Sequence, residues 1–304
     1  MILMKRVKKA LLAVLPMAAL TLTGCQVPQP APGTISVVVG LYPYAYLAQA
    51  IGQDHVTVTN LTQPGAEPHD LELTAMQVAQ VATSSLTIYE AGLQPAVDAA
   101  VKQAKPNTSL DVTSVVPLES HGTGADDPSN GSLDPHIWLD PTHMVTIAQA
   151  IADILIRIDP ANQSTYTQGL ATLTATLTTI DTAYTQGLSS CQRTEFLTTH
   201  AAFGYLAERY DLTQISISGL SPDAEPSPDR IAEIHQIAQE KGLTTVFFET
   251  LTSPDLAKTI ASDMGLATDV LDPIEGLTKD SRGEDYAAIM SSNLTALRTA
   301  NGCS

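Results

Sequence analysis

Three of the seven histidines in this chain occupy equivalent positions, between a strand-like and a helix-like segment. His69 comes after the alternating run VTVTNL and before a helical pattern, and His200 directly follows the run EFLTT. His136 lies in DPHIWLDP, immediately before another helical run. In parallel α/β sheets, ligands bind beyond the carboxyl ends of the strands. Because imidazole is the commonest metal ligand and suits Zn²⁺, three such histidines favour a metal site over three separate structural histidines.

A fourth ligand is expected to be a carboxylate at a strand end in the second half of the chain. Glu249 ends the run VFFE, and Asp272 ends the run DVLD. Asp before Pro is typical of turns, so spacing alone leaves both carboxylates open. His121 lies in a polar loop with Asp126 and Asp127, where loose capture of a metal and simple solvation are the alternatives.

The segments around these residues alternate between strand and helix. The apolar run Ile35–Val39 is typical of a buried parallel strand, and the second half of the chain repeats the rhythm of the first. Between the halves, apolar residues recur at steps of three and four over more than six turns, which predicts one long helix. Its stripe is Tyr166, Leu170, Leu173, Leu177, Ile180, Tyr184 and Leu188.

The predicted fold is therefore α/β, with two lobes of parallel sheet and flanking helices. One long rigid helix joins the lobes, and the metal site lies in the cleft between them. The predicted segments are a signal peptide (1–24), a tether (25–33), an N-terminal lobe (34–159), a linker helix (160–189) and a C-terminal lobe (190–304).

The N-terminus has the pattern of an export signal. A basic stretch precedes an apolar stretch that is too short for a spanning helix. Leu22-Thr23-Gly24-Cys25 follows and resembles a bacterial lipobox, in which Cys25 is lipidated. An ordinary secretory signal is the alternative. The Pro-rich run QVPQPAPG then predicts an extended tether.

The three cysteines fit an exported chain. With Cys25 assigned to lipidation, Cys191 and Cys303 remain, and an even remainder outside the cytoplasm predicts one disulfide over two free thiols. The net charge of −17 in 304 residues, with 32 acidic against 15 basic residues, argues against a nucleic-acid partner.

Taken together, these motifs resemble the metal-binding solute-binding lipoproteins of bacterial ABC importers, the zinc/manganese group called cluster A-I. The resemblance covers nearly all of the chain from Thr34. It is carried, in family order, by the lipobox Cys25, GAEPHD around His69, DPHIWLDP around His136, THAAFGYL from Thr199, Phe248-Glu249 and Leu271-Asp272-Pro273.

The resemblance implies a metal bound between the lobes by His69, His136, His200 and Asp272, with Glu249 nearby as a supporting residue or alternative ligand. Three imidazoles and one carboxylate suit Zn²⁺ better than Mn²⁺, although Mn²⁺ or another divalent ion is also expected to bind in some members. Many zinc-type members carry a His-rich loop, but the corresponding residues 119–132 contain only His121.

The implied function is capture of Zn²⁺ outside the cytoplasmic membrane and delivery to an ABC permease by a lipid-anchored monomer, without catalysis. The alternative is a zinc-dependent hydrolase with an open coordination position, for which Glu249 is the candidate base. The chain contains none of the common hydrolase or nucleotide-binding motifs. A binder of a larger metal chelate is a third possibility, which the 5% aromatic content supports poorly.

Overall fold

The computed structural model describes residues 33–122 and 131–304. The predicted signal peptide, the lipidation site Cys25, nearly all of the tether, and Asp126 and Asp127 lie outside these ranges. No helix in the described part of the chain combines the length and the apolar character needed to cross a membrane.

The first lobe is built on a four-stranded parallel sheet in the order β2-β1-β3-β4. Its strands are β1 (Ile35–Val39), β2 (Val56–Asn60), β3 (Leu86–Tyr89) and β4 (Ser109–Asp111). Its helices are α1 (Tyr42–Gly52), α2 (Ala75–Thr83), α3 (Pro95–Ala104) and α4 (Pro141–Ile158). Because all the strands run in one direction, their carboxyl ends lie at one edge of the sheet.

The second lobe repeats this arrangement with the order β6-β5-β7-β8, again all parallel. Its strands are β5 (Glu195–Thr198), β6 (Thr213–Ser216), β7 (Thr245–Phe248) and β8 (Ala267–Val270). Helix α5 (Gln163–Leu188) comes before them, and α6 (Gly204–Arg209), α7 (Pro228–Lys241), α8 (Asp255–Met264) and α9 (Tyr286–Asn301) complete the lobe. The predicted α/β fold with two parallel sheets and a long intervening helix is confirmed.

Helix α5 contacts both lobes. It packs against α1 and α4 of the first lobe and against α9 of the second. Six of the seven predicted stripe residues are buried, and Leu170 is partly buried. The helix begins at Gln163, because Pro160–Asn162 form a separate 3₁₀ turn. At Gly169, a Cβ would lie 2.5 Å from the carbonyl oxygen of Ile51, so glycine permits close backbone contact with α1.

One apolar core runs through both lobes. Residues of the first sheet, of α4 and α5, and of α6 and α9 belong to one continuous buried cluster, while two smaller clusters lie on the other faces of the sheets. Hydrogen bonds cross the same boundary, two of them at Trp138. Trp138 Nε1–H donates to the carbonyl oxygen of Pro273, and the Tyr286 hydroxyl donates to the carbonyl oxygen of Trp138, each at 2.7 Å.

The predicted disulfide between Cys191 and Cys303 is present. Cys191 follows α5 and Cys303 follows α9, so the bond joins the ends of two helices that also pack against each other. Backbone hydrogen bonds from Gln192 and Arg193 to the carbonyl oxygen of Asn301 reinforce this corner. The C-terminal helix is thereby attached to the start of the second sheet.

Candidate metal centre

Four side chains from both lobes converge at the carboxyl ends of the two sheets. They are His69, His136, His200 and Glu275, and one ligand atom from each lies within 4.8 Å of every other. Oε1 of Glu275 lies 3.5 Å from Nε2 of His69, 3.2 Å from Nε2 of His136 and 3.8 Å from Nε2 of His200. This is the arrangement of a compact cation site.

The ligand atoms of this group are buried and have no hydrogen-bond partner. Nε2 of each histidine and both carboxylate oxygens of Glu275 are in this condition. The Glu275 and His136 side chains are 0% exposed, and the His69 side chain is 14% exposed. Buried polar atoms are normally paired, so several unpaired atoms directed at one point indicate a missing partner with positive charge.

His69 reaches the site from the segment between β2 and α2. The apolar spacing over residues 71–82 predicts a helix from Leu71, but α2 begins at Ala75 because Thr74 and Gln77 form a capping box. The residues before Thr74, including His69, therefore lie in a loop outside the helix. The His69 backbone N–H donates to Oε1 of Glu67 at 3.1 Å, which fixes the loop at this point.

His136 is oriented by Asp134. Oδ1 of Asp134 accepts hydrogen bonds from Nδ1 of the ring at 2.7 Å and from the His136 backbone N–H at 2.9 Å. Bonds from His121 and His136 outweigh burial and hold the pKa of Asp134 below its usual range, so the carboxylate accepts and Nδ1 donates. Nε2 is then left to face Glu275, as in metal sites where a carboxylate supports a histidine.

His200 has an equivalent support from Glu249. Nδ1 of His200 lies 2.9 Å from Oε1 of Glu249, which also accepts from the hydroxyl of Thr252 at 3.3 Å. The sequence left Glu249 open as a ligand or a neighbour. The structure places it behind the imidazole, on the Nδ1 side, while Nε2 faces Glu275.

Asp272, the fourth ligand expected from the resemblance, is not part of this group of four. Its Oδ1 accepts the Ile274 backbone N–H at 2.8 Å, and its Oδ2 accepts from the Thr250 hydroxyl at 3.2 Å. The side-chain amide of Asn293 accepts a hydrogen bond from the Asp272 backbone N–H and donates one to the Asp272 carbonyl oxygen. These bonds fix Asp272 in a turn, and that turn brings Glu275 to the histidines instead.

The turn has an unusual backbone. Ile274 has a φ of 60°, in the left-handed region that a β-branched residue rarely adopts. Its side chain is 0% exposed, so burial in the core and the bond from its N–H to Asp272 hold the conformation. Glu275 was not among the ligands that the sequence predicted. The only signal was a second acidic residue in the same strand-end segment as Asp272.

Protons and a cation compete for the same ligand atoms of this group. Burial opposes a charged His136, yet its hydrogen bond to Asp134 and the nearby charges of Asp134 and Glu275 outweigh it and raise the pKa of His136 to about 9. Burial likewise opposes charge on Glu275, but the three imidazoles hold its pKa well below the usual range. Burial and the charge of Glu275 raise the pKa of nearby Glu67 to about 7. A cation at this point therefore displaces protons from imidazole nitrogen.

The other histidines lie elsewhere. His121 belongs to a second group with Glu119 and Glu208. The ring of His55 packs edge-on against Tyr166, with 6.3 Å between ring centroids. Nε2 of His143 lies 3.8 Å from Oδ2 of Asp140, the residue that caps α4.

Comparison with known proteins places this chain beside zinc-binding solute-binding proteins. Residues 37–300 match the family model described as ZnuA, zinc-uptake complex component A, periplasmic. The zinc-binding lipoprotein AdcA of Streptococcus pneumoniae is 33% identical over 303 residues, covering 96% of this chain. The chain spans about 60% of the length of that relative. The high-affinity zinc uptake system protein ZnuA of Bacillus subtilis is 32% identical, covering 87% of this chain and 86% of the relative.

Solved structures of related proteins share the fold of this chain. The crystal structure of the Zn(II)-bound ZnuA-like domain of S. pneumoniae AdcA superposes with a TM-score of 0.76 at 33% identity, covering 88% of this chain and 99% of that domain. The metal-dependent lipoprotein YcdH of B. subtilis gives the same TM-score of 0.76 at 31% identity, covering 88% of this chain and 100% of that chain. With its family model matched from residue 37 to residue 300, the chain belongs to the ZnuA family of solute-binding proteins.

Proposed function

We propose that this protein captures Zn²⁺ outside the cytoplasmic membrane and delivers it to an ABC permease. The observation that carries the proposal is the convergence of four buried ligand atoms, contributed by both lobes and lacking hydrogen-bond partners. Relatives named for zinc binding and zinc uptake, and a neighbouring structure with zinc bound, support the choice of ion.

The proposed ligands are Nε2 of His69, His136 and His200 and the carboxylate of Glu275. Four protein ligands complete a tetrahedral zinc shell, which is typical of sites that hold zinc without using it as a catalyst. Three nitrogen atoms and one carboxylate favour Zn²⁺ over the harder Mn²⁺, which prefers oxygen. Asp134 and Glu249 orient two of the rings from behind.

The arrangement disfavours the hydrolase alternative. A zinc hydrolase keeps one coordination position for water and needs a base beside that water. Glu249, the candidate base, lies on the Nδ1 side of His200, away from the nitrogen that faces Glu275. In this position it supports a ligand and has no access to a metal-bound water. We therefore assign the protein a binding role in transport.

Lipidation at Cys25 would keep the binding protein at the outer face of the membrane, where the permease is. One acyl-anchored cysteine tethers a protein without making it span the bilayer. The lipobox-like sequence and relatives named as lipoproteins support this placement. We propose that the protein acts there as a monomer.

The ligand assignment is tested by comparing Glu275→Gln with Asp272→Asn. Zinc affinity is measured on purified, chelator-stripped protein by competition with a chromophoric chelator. The parent protein should bind one tight Zn²⁺, and Glu275→Gln should lose more than the roughly 10- to 100-fold typical of changes behind a ligand. Asp272→Asn should stay within or below that range.

The two variants also distinguish a wrong ligand assignment from a wrong function. If Asp272→Asn weakens binding more than Glu275→Gln, the fourth ligand is wrongly assigned but zinc capture stands. If the parent protein binds Zn²⁺ no more tightly than a variant lacking His136 and His200, the proposed function fails.

A further inference from the structure

A buried glutamine holds the backbone next to His69. Nε2 of Gln94 donates to Oγ1 of Thr62 at 2.8 Å and to the carbonyl oxygen of Pro68 at 3.3 Å. Gln94 and Thr62 are both buried. At Gly40, a Cβ would lie 2.6 Å from Oε1 of Gln94, so glycine leaves the space that the amide occupies. Because Pro68 directly precedes His69, the amide acts on the backbone of a proposed ligand.

The second lobe has the same arrangement at His200. Nε2 of Gln214, on β6, donates to Oγ1 of Thr198 at 2.7 Å and to the carbonyl oxygen of His200 at 2.9 Å. Oε1 of Gln214 also accepts the Phe203 backbone N–H at 2.9 Å. Gln214 and Thr198 are both buried. A glutamine paired with a threonine therefore fixes the backbone at one ligand histidine in each lobe.

The two histidines differ in the support of their rings. Nδ1 of His200 bonds Glu249, just as Nδ1 of His136 bonds Asp134. Among the described residues, no hydrogen bond reaches Nδ1 of His69. His69 is also the most exposed of the four proposed ligands. The orientation of its ring therefore depends on the backbone of the loop that carries it.

Two further hydrogen bonds stabilise the backbone around His69, and both lie within its own loop, between β2 and α2. The His69 N–H bonds Glu67, and the Leu71 N–H bonds the carbonyl oxygen of Pro68 at 3.3 Å. Such bonds shape the loop without attaching it to the lobe. Gln94 lies outside the loop, directly before α3, so its bond to Pro68 does attach the loop.

An open groove lies where this loop faces the second lobe. Pro64 and Gly65 line it from the first lobe, and Thr250 and Leu277 line it from the second, around a volume of about 440 Å³. The loop therefore has space into which it can move. A bond that attaches the loop to its own lobe opposes that movement.

We propose that Gln94 is a positioning residue for the metal, which fixes the loop of His69 and thereby limits the rate at which the ion leaves. The inference rests on the proposed zinc site. Without this bond the loop moves into the groove, and His69, the least enclosed ligand, detaches first. Changes at a binding site appear mainly in the dissociation rate. Gln214 has less influence on release, because Glu249 still orients the ring of His200.

The test compares Gln94→Leu with Gln214→Leu, each of which removes one bond to threonine and one to a backbone carbonyl oxygen. Each chelator-stripped protein is loaded with one equivalent of Zn²⁺, and transfer of the ion to excess chromophoric chelator is followed by stopped flow. Gln94→Leu should release Zn²⁺ about tenfold faster or more, the scale of losses behind a metal ligand. Gln214→Leu should increase the rate by a smaller factor. Gln236→Leu on α7, which removes an exposed bond to Glu240, should release the ion like the parent.

A milder pair of variants makes the same comparison if a leucine variant does not fold. Thr62→Val and Thr198→Val keep the shape of the side chain and remove the oxygen that each glutamine bonds. Thr62→Val should release Zn²⁺ faster than Thr198→Val. The reverse order would contradict the proposal.

A role in stability alone predicts a different result. Gln214 makes one bond more than Gln94, so the melting temperature of the stripped protein should fall at least as far in Gln214→Leu. Equal release rates in the two leucine variants, faster release from Gln214→Leu, or an unchanged rate in Gln94→Leu would each overturn the proposal. If the parent retains no Zn²⁺ after gel filtration, the proposed function itself fails, and this inference fails with it.

Discussion

Asp134 bonds to several residues near the proposed zinc site through both its side chain and its backbone. Its two carboxylate oxygens bond His121 and His136, its backbone N–H bonds Glu119, and its carbonyl oxygen accepts from Tyr205. It is buried and ionised between these donors. A carboxylate outside the group of four proposed ligands thus determines which nitrogen of His136 faces Glu275.

Replacing Asp134 with Asn should therefore weaken zinc binding without removing a ligand. The amide can donate where the carboxylate accepts, so the preferred tautomer of His136 is disturbed. We expect a loss of roughly 10- to 100-fold in zinc affinity, as is typical of such supporting residues. Competition titration measures the change, and Asp153→Asn on the exposed face of α4 is the control. An unchanged affinity in Asp134→Asn would show that His136 needs no orientation.

The sequence singled out the three histidines but not Glu275, the proposed fourth ligand. His69, His136 and His200 could be selected because each follows a strand and precedes a helix, a relation that primary sequence displays. Glu275 could not, because the left-handed backbone at Ile274 sets the direction of the chain there. No propensity predicts that conformation for a β-branched residue, and the structure holds it through burial.

At the scale of elements, α5 shows how one glycine sets helix packing. At Gly169, added atoms would meet the backbone of Ala50 and Ile51 on α1, within 2.5–2.9 Å. At Gly187, on the same helix, they would meet side-chain atoms of Leu294 and Arg298 at 3.2 Å or more. Backbone cannot yield as flexible side chains can, so the two positions should respond differently to the same substitution.

Gly169→Ala should lower the free energy of unfolding by about 1–3 kcal/mol, the usual cost of overpacking, despite the gain in helix propensity. Gly187→Ala should be neutral or stabilising by up to about 1 kcal/mol, because alanine favours the helix. Denaturant unfolding of both variants gives the comparison. Equal effects of the two substitutions would contradict the close approach of α1 and α5.

Elements with a strong pattern were predictable and weakly patterned ones were not. The apolar stripe of α5 extends over its whole length and identified the helix. Strand β4 has three residues, too few for a recognisable alternation, and α9 is rich in Ala, Ser and Asn, so neither was predicted. The sequence predicts a helix from Ala201, but α6 begins at Gly204, because the backbone N–H groups of Ala201 and Phe203 bond to Gly219 and Gln214.

At the scale of the whole molecule, the shared core restricts how the lobes can move. The largest apolar cluster includes residues of both lobes, and the bonds of Trp138 cross between them. Hinge opening would expose that cluster to water, at about 25 cal/mol for each Å² of apolar surface. Local movement of the ligand loops is the cheaper route to release an ion.

A fall in pH should stabilise the zinc-free protein and destabilise the zinc-loaded protein. The pKa of His136 is about 9 in the folded protein, compared with about 6.5 in the unfolded chain. The ion pairs of the protonated ring therefore stabilise the zinc-free protein fully at pH values below about 6.5. That contribution is lost as pH rises through about 9. Zinc requires the neutral ring, so its affinity rises over the same interval.

The difference in melting temperature between the two forms should therefore grow from pH 6.5 to pH 9. Thermal unfolding in excess chelator and in excess Zn²⁺, at several pH values, measures it, since a ligand that binds the folded state alone stabilises it by mass action. A difference that shrinks over this interval would contradict the coupling of His136 to its carboxylates.

Trp138 gives the molecule a spectroscopic property as well as a structural link. It is the single tryptophan of the chain, and its indole is fully buried. Its ring centroid lies 5.3 Å from that of His136, and its N–H is bonded to Pro273, two residues before Glu275. A protonated imidazole quenches a neighbouring indole, and a metal ion replaces that proton. The tryptophan fluorescence of this protein should consequently arise beside the proposed zinc site and report its occupancy without any added dye.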